Sequence, residues 1–345
     1  MGRGFTLRFR LVVPPLVLGA LVAVAIAAPS GASPDSDAAQ RGCVKKNSIA
    51  AIIDDSQSMS GSDSNRLRVQ GLNLFMTAPG TGNENKTLSA IEFGSDAGPL
   101  FAPGQIGPNL GNFTNILNTG IKADNGGTNY NAAFTLVGTH HANADARIFL
   151  TDGGHNSGDY AENHKPGPPT YVVGLGITGS GEDVDRLRRI ANETGGFTRE
   201  VSDVSDLQAA FVDINTAVNY QRPPIRFVDN FSRVGQKIRH SVNVGGSSRS
   251  ANLTATWSNP NDQFDIIAFR ETVGKQVIGK ISQRRRKRSV RRFKVTTRRG
   301  ATFVSLKLAK LKPSNRAKLR FQIRAKKLST PGAKVITQVS RSRSR

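Results

Sequence analysis

Ile49, Ala50, Ala51, Ile52 and Ile53 form an unbroken apolar run that ends at two aspartates, Asp54 and Asp55. A short run with no polar alternation predicts a strand buried on both faces, which needs a covering layer on each side of its sheet. The pattern returns in Arg147-Ile148-Phe149-Leu150-Thr151, closed by Asp152-Gly153-Gly154, and in Tyr171-Val172-Val173-Gly174-Leu175. Thr87–Phe93 and Phe197–Val201 read as further strands. Helical stripes lie between them. Leu67, Gly71, Leu74, Phe75 and Ala78 share one helix face, as do Val184, Leu187, Ile190 and Ala191, and then Val204, Leu207, Phe211, Ile214 and Val218. Ala132–Val137 also reads as helix, and residues 79–129, rich in Gly, Asn and Pro, read as loops around one short helix. Over residues 47–220 this alternation predicts an α/β fold: a doubly wound, mostly parallel sheet flanked by helices.

In such a sheet, ligands bind outside the carboxyl ends of the strands. Those ends carry chemistry here. The first strand runs into Asp54-Asp55-Ser56-Gln57-Ser58, the strand at 147–151 into Asp152, and Gly126-Gly127-Thr128 precedes the helix at 132–137. Two carboxylates and three hydroxyls can therefore converge on one sheet edge. All are hard oxygen ligands, suited to Mg²⁺, Mn²⁺ or Ca²⁺ and poor for zinc or copper, and so few carboxylates fit Mg²⁺ best. Asp54 and Asp152 would serve equally as turn or helix-cap residues. Asp55 is the wrong frame, because it would put Gln57 and Met59 at ligand positions. His155, in the loop that follows, reads as a polar loop residue.

The order Asp54-x-Ser56-x-Ser58, Thr128 after two glycines, and Asp152 after a strand resembles the von Willebrand factor A domain with its metal-ion-dependent adhesion site. Tyr171–Gly176, Leu187–Gly196 and the last helix are similar to later elements of that family. The resemblance covers about half of the chain. It implies direct metal coordination by Ser56, Ser58 and Thr128, coordination largely through water by Asp54 and Asp152, and an acidic group of a protein partner at the open position.

Charge divides the chain. The whole carries 48 Lys and Arg against 25 Asp and Glu. Residues 41–220 hold 13 basic and 19 acidic residues, whereas residues 221–345 hold 32 basic and 4 acidic. The second part shows period-2 runs, among them Ser241–Val244, Ala251–Trp257, Phe264–Phe269 and Ala317–Ile323, at a spacing that suggests a sandwich. Leu253–Asp265 loosely resembles jelly-roll accessory domains that follow secreted adhesion or protease modules. Residues 221–340 are thus expected to form an all-β, jelly-roll-like sandwich with Trp257 in its core, and 341–345 a disordered tail. The densest charge is Arg284, Arg285, Arg286, Lys287 and Arg288, followed by Arg291 and Arg292. It predicts contact with a polyanion, either an anionic cell-wall polymer or a lipid surface. No motif for sequence-specific nucleic-acid reading appears.

At the N-terminus, Arg3, Arg8 and Arg10 precede an apolar run, Leu11–Ala28, and small residues follow. These are the parts of an export signal, expected over 1–32 and followed by a linker over 33–46. Retention as an anchor is the alternative. A single Cys, Cys43, excludes a disulfide scaffold and multi-thiolate metal sites. Neither a nucleophile elbow nor H-E-x-x-H occurs, so an enzyme is not expected. The chain reads as a secreted or cell-surface adhesion or interaction protein. The alternatives are an envelope polyanion binder without a working metal site and an accessory protein of a secreted hydrolase.

Overall fold

Strand β1 (Ser48–Asp54) is buried from Ile49 to Asp54 and lies in the middle of a six-stranded sheet. The computed structural model describes residues 45–341, except 65, 78–81, 178, 220, 245–249, 274, 283–293, 301, 310 and 312–315. The expected export signal, Cys43 and the Arg284–Arg292 run lie outside the described residues. So do residues 342–345 of the expected tail, while Arg341 closes the last strand.

The sheet also contains β2 (Thr87–Phe93), β3 (Ala97–Gln105), β4 (Ala146–Thr151), β5 (Thr170–Leu175) and β6 (Phe197–Val201), in the order β3-β2-β1-β4-β5-β6. Only the β2–β3 pair is antiparallel. The chain leaves β1 for β2 on one side and later reaches β4 on the other, so the switch of direction falls between β1 and β4. Side chains alternate across the sheet. Ile49, Ala51 and Ile53 meet Phe75, Phe113 and Phe211, from α2 (Leu67–Thr77), α3 (Ile106–Gly120) and α6 (Val204–Val218). Ala50 and Ile52 meet Phe134, Leu187 and Ile190, from α4 (Tyr130–His140) and α5 (Glu182–Thr194). A four-residue turn of helix, α1 (Met59–Ser62), follows β1.

The loop expectation for 79–129 is corrected. That stretch contains the nine-residue strand β3 and the fifteen-residue helix α3. Strand β3 reads Ala-Gly-Pro-Leu-Phe-Ala-Pro-Gly-Gln, and its two prolines and two glycines hide it. It is tolerated as an edge strand, where missing N–H donors and register shifts do not break an interior ladder.

The second part forms two antiparallel sheets. β11 (Gln276–Ser282), β10 (Gln263–Val273), β14 (Ala317–Lys327) and β8 (Lys237–Asn243) make one, in that order. β12 (Lys294–Arg299), β13 (Phe303–Ala309), β9 (Ser250–Trp257), β15 (Ala333–Arg341) and β7 (Arg222–Phe231) make the other. Pro223 and Pro224 are the second and third residues of β7, again an edge strand. Trp257, Phe231, Phe264 and Phe321 are buried in the shared core. Helix α6 joins the two units. Its apolar face enters the first core, and its polar face meets the second sheet. There Gln338 Nε2 donates to Asp213 Oδ1 at 2.8 Å, and Arg226 approaches Asp213 Oδ2 at 3.1 Å. Among the described residues no helix is long and apolar enough to cross a membrane.

Candidate functional site

At the carboxyl end of β1 the chain bends within two residues, because Asp54 Oδ1 accepts the Ser56 N–H at 2.9 Å. This short-range turn sends Ser56 and Ser58 back over the strand end. Their hydroxyls lie 3.1 Å apart. Ser58 Oγ then donates to Asp152 Oδ1, 2.9 Å away across the switch point between β1 and β4. Ser62, one helical turn after Ser58 on α1, donates to the other Asp152 oxygen. Asp54, Ser56, Ser58 and Asp152 therefore form one connected cluster of oxygens.

Thr128 reaches the same edge from the loop before α4. Its N–H donates to Asn156 Oδ1 at 2.8 Å, and its carbonyl accepts the Asn156 N–H at 3.0 Å. Its hydroxyl lies 4.0 Å from where a Cβ on Gly153 would stand, beside the Asp152 turn. Helix α4 begins two residues later, capped by Asn129 accepting the Ala132 N–H at 3.1 Å. The turn after β1 is tied to neighbouring loops by main-chain bonds from Gln57 N to Gly126 O and from Asn125 N to Asp55 O. Such lacing holds the loops after β1 and β4 and the loop between α3 and α4 in one arrangement.

Asp54 is fully buried, yet among the described residues it receives only hydroxyl and amide donors: Ser56, and Thr151 Oγ1 at 2.6 Å from Oδ2. Burial pushes its carboxyl up to about 6 against the lowering by these hydrogen bonds, and the charge of Asp152 adds to the rise. A buried carboxylate with no cationic side chain bonded to it, beside a second carboxylate and three hydroxyls, is chemically fitted to a hard divalent cation. Among the described residues there is no group of three or more His, Cys, Asp or Glu that could hold a metal. Any ion here would rest on two carboxylates, hydroxyls and water. Asp55 points elsewhere. Its carboxylate pairs with Arg68 at 3.1 Å and accepts the Lys122 N–H at 2.8 Å. His155 Nδ1 accepts the Tyr130 N–H at 3.0 Å, which makes it a loop brace, and burial lowers its pKa.

Two residues of this edge were not singled out from the sequence, Thr151 and Ser62, while Asn156 was placed near the site only as part of the loop after Asp152. Ser62 follows Ser58 by four residues, so the helical spacing could have shown it. Thr151 looked like an ordinary β-branched strand residue, and the bonds of Asn156 to Thr128 are tertiary.

The family profile of the von Willebrand factor type A domain matches residues 48–213. Those residues are a von Willebrand factor type A domain. The match runs from β1 into α6 and leaves the β-sandwich outside it. Similar solved structures include a von Willebrand factor type A protein from Catenulispora acidiphila, at 14% identity and a TM-score of 0.42, covering 84% of this chain and 59% of that one. An aerotolerance-related membrane protein from Bacteroides fragilis is 21% identical with a TM-score of 0.39, covering 50% of this chain and 98% of that one. Proximal thread matrix protein 1 from the mussel byssus, with a zinc-occupied MIDAS motif, is 15% identical with a TM-score of 0.41, covering 56% and 52%. The chain thus spans 59% of the length of the first of these proteins. A search of curated protein sequences finds no match.

Proposed function

We propose that the von Willebrand factor type A domain binds an acidic group of a protein partner through a divalent cation, Mg²⁺ above Mn²⁺ or Ca²⁺, at the β1/β4 edge. The observation that carries this reading is the Ser56–Ser58–Asp152 hydroxyl–carboxylate cluster set against the buried, cation-less Asp54. Ser56, Ser58 and Thr128 would offer hydroxyl oxygens to the ion, and Asp54 and Asp152 would supply charge. A bound divalent cation supplies a positive centre with open coordination positions, which an incoming carboxylate can fill. The residues themselves fix orientation: the Asp54–Ser56 turn aims both serines, and Thr151 holds Asp54. Nothing in this arrangement pairs a nucleophile with a base, so the reading is an interaction module rather than an enzyme. The protein acts outside the cell or at its surface, and the basic second unit attaches it to a polyanion.

Calorimetric titration with Mg²⁺ tests the site. Wild type should bind, and Asp152→Ala should lose the binding while keeping its thermal midpoint within a few degrees. Chelator and Asp152→Ala should then abolish the same protein–protein contacts. Unchanged Mg²⁺ affinity in Asp152→Ala would overturn the assignment.

A further inference from the structure

We infer that the solvent face of the sheet β11-β10-β14-β8 is a binding track for a linear polyol-phosphate polymer, a chain of phosphodiesters joined by uncharged polyols. The inference rests on the reading that the second unit attaches to a polyanion, and it assigns the contact to a surface separate from Arg284–Arg292.

Strand β14 alternates strictly. Ala317, Leu319, Phe321, Ile323 and Ala325 are buried, while Lys318 and Arg320 are exposed and Arg324 is partly so. Register extends this outward row sideways. Arg320 stands opposite Arg270 of β10 and Ser241 of β8, Gln322 opposite Arg239, and Arg324 opposite Lys237. Opposed residues of an antiparallel pair share a face. Lys237, Arg239, Arg270, Lys318, Arg320 and Arg324 therefore form one array, spaced about 5 Å across strands and about 7 Å along them.

The array is not neutralised. Among the described residues, Asp265 is the carboxylate on this face. It is already shared by Arg324, at 3.3 Å, and Arg299. The other five cations make no ion pair with a described residue. Like charges held this close build a positive potential that selects a polyanion.

The geometry narrows the class. Lys318, Arg320 and Arg324 lie along one strand in a row about 20 Å long, which suits a linear chain. Sheets twist by about 20–25° per strand, so the flanking strands turn away from a plane, and a bilayer surface would meet only part of the array. No aromatic stands among the described outward side chains of β8, β10 and β14, so nucleobases would find no stacking partner. Forked arginine donors match the phosphodiester oxygens.

The test uses the full chain, with chelator present so that the metal site does not contribute. Binding to poly(glycerol phosphate) is followed from about 50 to 200 mM salt. The variant Arg239→Gln/Arg270→Gln/Arg320→Gln should lower the slope of log affinity against log salt by about 2, which amounts to a loss on the order of 100-fold near 0.1 M salt. Arg→Lys at the same three positions should keep the slope. Equal urea midpoints show that the variants are folded. An unchanged slope in the Gln variant overturns the track. If replacing residues 284–288 by Ser removes the affinity and the Gln variant keeps it, the polyanion reading stands and the track is wrong. If wild type binds neither this polymer nor single-stranded DNA nor phosphatidylglycerol vesicles, the polyanion reading itself falls, and if it binds one of the latter two but not the polymer, the choice of a polyol phosphate is wrong. Single-stranded DNA of equal charge, or phosphatidylglycerol vesicles, bound as tightly and through the same three arginines would overturn the choice of a polyol phosphate.

Discussion

The two units solve the placement of charge in opposite ways. In the von Willebrand factor type A domain the central strands β1, β4 and β5 are covered on both faces, and from Ile49 onward in β1 and throughout β4 and β5 every residue is buried. Chemistry is confined to the carboxyl ends, where Asp54, Ser56, Ser58 and Asp152 gather. In the sandwich, β14 and β8 are covered on one face only, and charge lies along the strands. A strand buried twice can display function only at its tip, whereas a strand buried once can display it along a whole row. Charged groups inside the first unit must therefore be paired, as Arg68 is, or carry a shifted pKa, as Asp54 and Lys86 do, and those on the second need neither.

The largest expected effect breaks that pairing. Arg68 is buried between Asp55 and Asp63, with N–O distances of 3.1 and 2.7 Å. Asp63 also accepts the Arg68 N–H at 3.1 Å, and Asp55 accepts the amides of Lys122 and Ala123. Arg68→Met would leave two buried carboxylates without their cation, at a cost of about 3–5 kcal/mol. Urea unfolding measures it, and a loss below about 1 kcal/mol would show that the triad is solvated.

A smaller loss is expected at the seam between α2 and α6. A Cβ on Gly71 would stand 2.1 Å from Cε2 of the buried Phe211 ring. Gly71→Ala should therefore destabilise by about 1–3 kcal/mol through overpacking. The second substitution Phe211→Leu should recover part of it, and strict additivity of the two would contradict the contact. This seam also shows what the sequence could reveal. Gly71 fell on the apolar stripe of α2 by its spacing, and Phe211 fell on that of α6, yet their meeting is a tertiary fact. Strands β1, β4 and β5 were legible because a doubly buried strand is written as a continuous apolar run. Strands β3 and β7 were not, because edge strands accept proline and need no alternation. At the site, the D-x-S-x-S spacing was visible because one turn sets it. The brace of Thr151 on Asp54 spans 97 positions of chain and has no local signature.

Lys86 sharpens the contrast through pH. Its side chain is almost wholly buried and donates to the Lys46 carbonyl, and burial lowers its pKa to about 8, with the Lys45 charge adding to the fall. The folded value lies below the ordinary 10.5, so between about pH 8 and 10.5 the unfolded chain holds more protons than the folded one. Stability contributed at this position should rise as pH climbs through that window. Urea midpoints of wild type at pH 7.5 and 9.5, compared with those of Lys86→Met, isolate the effect. If the difference between the two proteins does not change with pH, the Lys86 pKa is not lowered in the folded state and burial does not penalise its charge.

The smallest effect, and the one of opposite sign, belongs to the exposed array. Arg270 and Arg320 stand directly opposite one another on neighbouring strands, and like charges in that relation repel. Exposed substitutions away from packing, caps and networks change stability by about 0.5 kcal/mol or less. Arg239→Gln/Arg270→Gln/Arg320→Gln should thus unfold at the same urea concentration as wild type or slightly higher. The wild-type midpoint should rise as salt screens the array, over a Debye length of about 10 Å at 0.1 M, and the variant should respond less. This is the reverse of Arg68→Met, where removing one cation costs several kcal/mol because its partners are buried. A fall of more than about 1 kcal/mol in the triple variant would mean that these arginines hold the sheet together. If the midpoint instead stays level or rises, the array adds nothing to the fold, and its charges are kept at a small cost to stability, as a binding surface requires.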